Sequence, residues 1–195
     1  METTQHQDIS VSRYLSVAVS VAEASGLIIR EVYESGNLGE QSKGIDNPVT
    51  LADLRVQKTI EENFAHFFPS LVTKGEESAE SMEGIVSSVL PENVNSDFIK
   101  MEQLTKEYER RKTFNETMRK VYGNQISESF ESFNTEKAVV WIDPLDGTSD
   151  FVKGNLSAVT VLIGLAIDGV PKIGVVHNPF ITNENDGKGM TIFGS

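Results

Sequence analysis

Val159-Thr160-Val161-Leu162-Ile163-Gly164-Leu165-Ala166-Ile167-Asp168-Gly169-Val170-Pro171-Lys172-Ile173-Gly174-Val175-Val176 decides the fold. Two runs rich in branched aliphatics, Val159 to Ile167 and Pro171 to Val176, flank Asp168-Gly169. That dipeptide favours a two-residue turn between antiparallel strands, because both of its residues tolerate the positive φ such a turn needs. A third strand of the meander is expected at Thr191 to Phe193, after an Asn183 to Gly189 loop whose Asn, Asp and Gly residues suit turns. Upstream, Ala138 to Ile142 is a further strand of the same apolar kind.

Helices precede the strands. Val11, Leu15, Ala18, Ala22, Ile29 and Val32 recur at helical steps and Gly36 follows as a stop, so the spacing predicts one long helix from Val11 to Val32. After a loop at Gly44 to Pro48, a second helix is expected from Thr50, with an apolar face of Leu51, Leu54, Ile60, Phe64 and Phe67, ended by Pro69. Leu71 to Thr73 reads as a short strand feeding the loop Lys74-Gly75-Glu76-Glu77-Ser78. From about 79 to 136 the sequence turns polar and reads as an insertion, with helical spacing only among Met101, Leu104, Tyr108, Phe114, Met118 and Val121. Two helices followed by a meander imply an α+β fold, the helices packed on one face of a mainly antiparallel sheet.

Composition narrows the chemistry. The chain has 195 residues, 38% hydrophobic and 24% charged, enough to bury one sizeable core. No window approaches the ~18 apolar residues of a membrane span, and Met1 to Ser10 is polar, so the expectation is a cytoplasmic protein with no membrane partner. Cysteine is absent, and His6, His66 and His177 show no paired spacing. Any metal would therefore be held by oxygen. A net charge of -12 argues against nucleic acid, whose binders carry a basic footprint.

The chemistry-bearing stretch is Trp141-Ile142-Asp143-Pro144-Leu145-Asp146-Gly147-Thr148, an apolar strand that ends in two carboxylates, a glycine and a hydroxyl. Acids three apart at a strand end can converge on one point, and magnesium asks for such hard oxygens, to which the Leu145 carbonyl could add. If Gly147 and Thr148 open a short helix towards Phe151, their amides would face the same point and favour phosphate oxygens. The plain alternative is turn chemistry, with Asp143 before proline and Asp146-Gly147 in a loop. Glu76 and Glu77 lie at the end of the other short strand and would approach Asp143 if the strands neighbour each other; a solvated loop is the alternative. Asp53 fits a capping box with Thr50, so it has a purely structural reading as well. Asp46 reads as a turn residue and His177 as a structural or surface residue rather than a ligand.

Together, Asp46-Asn47-Pro48-Val49-Thr50-Leu51-Ala52-Asp53, Gly75-Glu76-Glu77-Ser78 and Trp141 to Thr148 resemble, in order, three N-terminal motifs of the inositol monophosphatase superfamily. The resemblance implies a lithium-sensitive, magnesium-dependent phosphatase and the first half of a layered αβαβα fold. It implies two or three Mg2+ ions: a first on Glu76, Asp143 and the Leu145 carbonyl, a second on Asp143 and Asp146, a looser third on Glu76 and Asp53. Thr148, oriented by Asp53, would help deprotonate the attacking water, and Asp146, Gly147 and Thr148 would receive the substrate phosphate. The insertion and the Val159 to Phe180 pattern resemble the branch holding inositol polyphosphate 1-phosphatase and 3'(2'),5'-bisphosphate nucleotidase. Insertion length favours the first, with inositol 1,4-bisphosphate as substrate, and adenosine 3',5'-bisphosphate is the alternative.

Superfamily members continue past Phe193 into an α/β half that supplies another metal-binding aspartate. Residues 1–195 alone are therefore expected to catalyse poorly and to leave an apolar sheet face open. Two rivals stand beside the phosphatase. A covalent haloacid dehalogenase-like mechanism would need an aspartate where Pro144 stands. A catalytically weak, metal-binding or dimerising chain is the non-enzymatic reading.

Overall fold

The Asp168-Gly169 turn forms as the dipeptide demands: φ is 51° at Asp168 and 75° at Gly169, so both turn residues lie in the left-handed region. In the computed structural model, residues 7–42, 48–86, 132–181 and 189–194 are described. Asp46, most of the Asn183 to Gly189 loop and the helical spacing from Met101 to Val121 fall outside them.

The chain opens with β1 (Asp8–Ser10) and passes directly into α1 (Val11–Glu34), whose N-cap Ser10 side chain accepts from the Arg13 amide. Two two-residue strands follow, β2 (Gln41–Ser42) and β3 (Pro48–Val49), and then α2 (Leu51–Phe67). Next come β4 (Val72–Gly75), a 3-10 turn at Glu80–Met82 and β5 (Ser132–Asn134). The remainder is β6 (Ala138–Asp146), α3 (Thr148–Lys153), β7 (Thr160–Ile167), β8 (Val170–Asn178) and β9 (Met190–Gly194).

Five strands form one sheet in the order β4-β6-β7-β8-β9. β4 runs parallel to β6 and every other neighbour is antiparallel, so the sheet is mainly antiparallel as its hairpin signals imply. Alternation sets its faces. Val140, Ile142, Val161, Ile163, Leu165, Ile173 and Val175 are buried with the helices in a single core. On the opposite face, Val72, Trp141 and Ile192 are exposed, and Lys74 lies over the Trp141 ring at 5.2 Å.

Both helices lie on one side because each carries a dense apolar face. α1 buries Val11, Tyr14, Leu15, Ala18, Val21, Ala22, Ile29 and Val32, and α2 buries Val56, Ile60 and Phe64. Tyr14 meets Phe64 and Phe133 at ring separations of 5.7 Å each, and burial alone pushes its hydroxyl pKa far up. Gly26 lets α1 approach β8, since a Cβ there would overlap the buried His177 ring.

Four features depart from the sequence reading. β6 continues past Ile142 to Asp146, and β4 sits at Val72–Gly75 rather than Leu71 to Thr73. The β1–β5 and β2–β3 ladders were not legible, because strands of two or three residues carry no alternation. The stretch read as an insertion is tied to the fold at both ends: Met82 packs with Val49 and Leu54, and Phe133 lies in the main core.

Phe64, fully buried and in ring contact with Tyr14 and Phe68, carries the helix pair. Phe64→Ala should cost about 3–5 kcal/mol. Urea unfolding followed by circular dichroism reads this, and a loss below about 1 kcal/mol would contradict the packing described.

Candidate functional site

β6 changes character where its register slips. Asp143 pairs with Leu162 and Asp146 with Thr160, so three steps on β6 span two on β7. One extra residue is accommodated at Pro144-Leu145, where proline has no N–H to lose from the ladder. The bulge separates Asp143, partly buried, from Asp146, exposed, and turns Leu145 into the core. Gly147 then caps α3 with φ of 88°, and a Cβ there would lie 3.1 Å from the Ala158 carbonyl, so both conformation and space require glycine.

Parallel pairing of Gly75 with Ile142 puts Glu76 beside Asp143, one residue further along both strands. α2 delivers Asp53 to the same region. Its Oδ2 accepts from the Thr50 amide at 2.8 Å and the Thr50 hydroxyl at 2.6 Å, completing a capping box. Its Oδ1 faces the Thr148 hydroxyl at 3.1 Å, and that hydroxyl also lies 2.9 Å from the Leu145 carbonyl. Asp53 therefore caps a helix with one oxygen and holds Thr148 with the other.

Charge ties the acids together. The Asp143 carboxyl is pushed up to about 6, first by burial, then by the charges of Glu76 and Asp146, with Asp53 adding a smaller push and the Leu145 amide opposing. Burial also raises Asp53, against hydrogen bonds from Thr50 and Thr148 that lower it. Asp146 has a long hydrogen bond from Thr160, at 3.4 Å. Among the described residues, no three acidic or histidine side chains are posed closely enough to enclose an ion. Glu76, Asp146 and Asp53 each act on Asp143 through their charges from beyond the distance at which they would enclose an ion.

These residues fit a hard divalent cation. Asp143 Oδ1 is buried and has no hydrogen-bond partner, an arrangement that costs free energy unless another electropositive group meets it. All the candidate donors are oxygens: the carboxylates of Glu76, Asp143, Asp146 and Asp53 and the Leu145 carbonyl.

Two of the sequence candidates lie elsewhere. Glu77 is buried, with its backbone bound on both sides by Gln57, and so is not the solvated partner of Glu76. His177 is fully buried, with Nδ1 2.9 Å from the Thr191 hydroxyl, consistent with its structural reading. Gln57 and Gly75 were missed, although Gln57 follows Asp53 by one helical turn on α2.

A sign follows from the Asp143 shift. A carboxyl raised from 3.8 to about 6 favours folding fully below pH ~4, and that contribution is lost as pH rises through ~6. Asp143→Asn should therefore be the more stable protein at pH 7 without divalent cation, by about 1 kcal/mol once solvent screening is allowed for. The difference should vanish near pH 4, and magnesium should reverse it by binding only the parent protein. Thermal melts at pH 4 and 7 check this, and a less stable variant at pH 7 without cation would contradict the crowding of charge.

The chain is similar to several known proteins. Human 3'(2'),5'-bisphosphate nucleotidase 1 is 32% identical over 88% of this chain and 48% of its own length. Inositol monophosphatase 3 of Danio rerio is 26% identical over 90% of this chain and 45% of its own. The chain thus spans about half the length of the curated relatives it matches. Among solved structures, the Thermotoga maritima IMPase superposes with a TM-score of 0.52 at 18% identity, covering 93% of this chain and 47% of that one. A staphylococcal inositol monophosphatase-1, solved as a LiCl-soaked inhibitory complex, gives 0.53 at 13% identity over 88% and 46%. These two likenesses concern the fold. The inositol monophosphatase family model matches residues 10–195, and the chain belongs to that family.

Proposed function

We propose that the protein to which this chain belongs is a magnesium-dependent phosphomonoesterase acting on a small, doubly phosphorylated metabolite. The observation that carries the reading is Asp143 Oδ1, buried without a hydrogen-bond partner and within the fields of Glu76, Asp146 and Asp53. Glu76, Asp143, Asp146 and the Leu145 carbonyl would hold the ions, with Asp53 at the margin. When bound, the ions supply Lewis acidity and offset the charge of the phosphoryl group.

The chain's own part is proton handling. The Thr148 hydroxyl has one hydrogen and two acceptors in reach, Asp53 Oδ1 and the Leu145 carbonyl. With that carbonyl engaged elsewhere, Thr148 would donate to Asp53 and accept a hydrogen bond from the attacking water, so that the water's proton passes to Thr148 as the Thr148 hydrogen passes to Asp53 Oδ1. Thr50 keeps Asp53 fixed in this role from its other side. Gly147 and Thr148 are the proposed cradle for the substrate phosphate, together with Asp146 through an ion. A metal-binding α+β half, completed by an α/β half in longer family members, belongs to the same proposal.

Two substrates remain in view. Inositol 1,4-bisphosphate is favoured by the length of the 79–136 stretch. Adenosine 3',5'-bisphosphate is favoured by similarity, since the bisphosphate nucleotidases of human and mouse are 32% and 31% identical to the chain. The nucleotide is the better supported of the two, and the reading in which the chain binds metal without turnover is the third.

Phosphate release by the full-length protein, with and without magnesium, decides among them. Turnover of adenosine 3',5'-bisphosphate or inositol 1,4-bisphosphate that depends on magnesium is the expected result, with inhibition by lithium. Asp143→Asn should abolish measurable release, and Thr148→Val should lower kcat about a hundredfold or more, the scale of a lost acid–base partner. Magnesium binding without release from either compound would overturn the enzymatic reading.

A further inference from the structure

We propose that Gln57 is a positioning residue for the cation site, a neutral clamp that holds Glu76 against Asp143 when no ion offsets their repulsion. The inference rests on the metal reading given above. Gln57 is fully buried on α2. Its Oε1 accepts from the Glu77 amide at 2.7 Å, while its Nε2 donates to the Glu77 carbonyl at 2.8 Å and to Glu61 Oε1 at 2.9 Å. The amide orientation is forced, since the Glu77 N–H can only donate. One acceptor and two donors are thereby all engaged, which no other side chain of this size can reproduce.

The residue before Glu76 completes the clamp. A Cβ on Gly75 would overlap Cδ, Nε2 and Oε1 of Gln57, and Gly75 is not among the residues of positive φ. This glycine is there for the space it leaves to the Gln57 amide, not for a turn. Gln57 thus packs on Gly75 and bonds both backbone groups of Glu77, bracketing Glu76 and leaving the Glu76 carboxylate itself exposed. Asp53 lies four residues earlier on the same helix, roughly 6 Å along its axis. One rigid element therefore sets the placement of Asp53 and of Glu76. An amide suits the task because it brings no charge of its own: a glutamate at 57 would lose both donated bonds and add a fifth acid facing Glu61.

The test uses the full-length protein and two readouts. Gln57→Met, similar in size but without the hydrogen bonds, should speed hydrogen exchange of the segment holding the Glu77 amide, measured without cation. It should also weaken Mn2+ binding in calorimetry by about tenfold or more, the scale of lost outer-shell support. Asn63→Ala is the control, removing a buried hydrogen bond to the Thr59 carbonyl on the same helix, away from the loop. Gly75→Ala should weaken Mn2+ binding similarly, and should add little in a Gln57→Ala background, where the overlap is gone. Gln57→Met matching Asn63→Ala in both readouts, or Gly75→Ala and Gln57→Ala acting additively, would overturn the clamp. A parent protein that binds no divalent cation would instead overturn the metal reading on which it rests.

Discussion

Asp143 stands in the combined field of Glu76, Asp146 and Asp53, and a fold that gathers four carboxylates must hold them by groups that carry no charge of their own. The structure does this throughout. Thr50 and Thr148 hold Asp53 through hydroxyls and an amide, Gln57 holds the backbone around Glu76, and the bulge at Pro144-Leu145 fixes Asp143 through the sheet. Among the described residues, no lysine or arginine forms an ion pair with any of the four acids. A basic partner would remove the repulsion and, with it, the attraction for a cation. The strain is thus tolerated locally and offset by the aromatic and aliphatic core beneath the sheet.

Asp53 shows how structural and functional readings of one residue can both hold. As the third residue of α2 it completes the capping box with Thr50, which by itself would explain an acid at that position. The cap occupies Oδ2 and orients the carboxylate, so Oδ1 is presented to Thr148 at 3.1 Å. The helix start is therefore the device that aims the acid. Gly147 is similar in kind, since its left-handed φ ends the strand and opens α3 in one residue.

Much of this was legible in the sequence for identifiable reasons. The meander, both long helices and the short helix after Gly147 rest on local signals: branched aliphatic runs, helical periodicity, Asp168-Gly169 and Gly147. The closeness of Asp143 and Asp146 was legible from their place at a strand end, whereas Asp53 and Thr148 joined them only through the resemblance of three ordered motifs to a known family. Gln57 was not legible. A glutamine on a helical face reads as solvent-exposed until the packing of α2 against β4 buries it, and Gly75 reads as turn chemistry until its φ is known. The extent of β6 was missed as well, because Pro144 reads as a strand terminator when a bulge can carry it.

The chain as a whole is acidic too. A protein of net charge -12 is a poor receiver for a polyanion, and the charges that act on Asp143, those of Glu76, Asp146 and Asp53, are all acidic. Lys74 lies over Trp141, and Arg55 pairs with Glu31 on an exposed surface. In the proposed function, phosphate would be received by backbone amides such as those after Asp146 and by cations held on the acids, which would invert the local potential. An ion held on oxygens alone is hard and exchangeable, as an anionic ligand that arrives and leaves requires. Under that proposal the carboxylates, with their excess negative charge, would act as the receptor for phosphate at one remove.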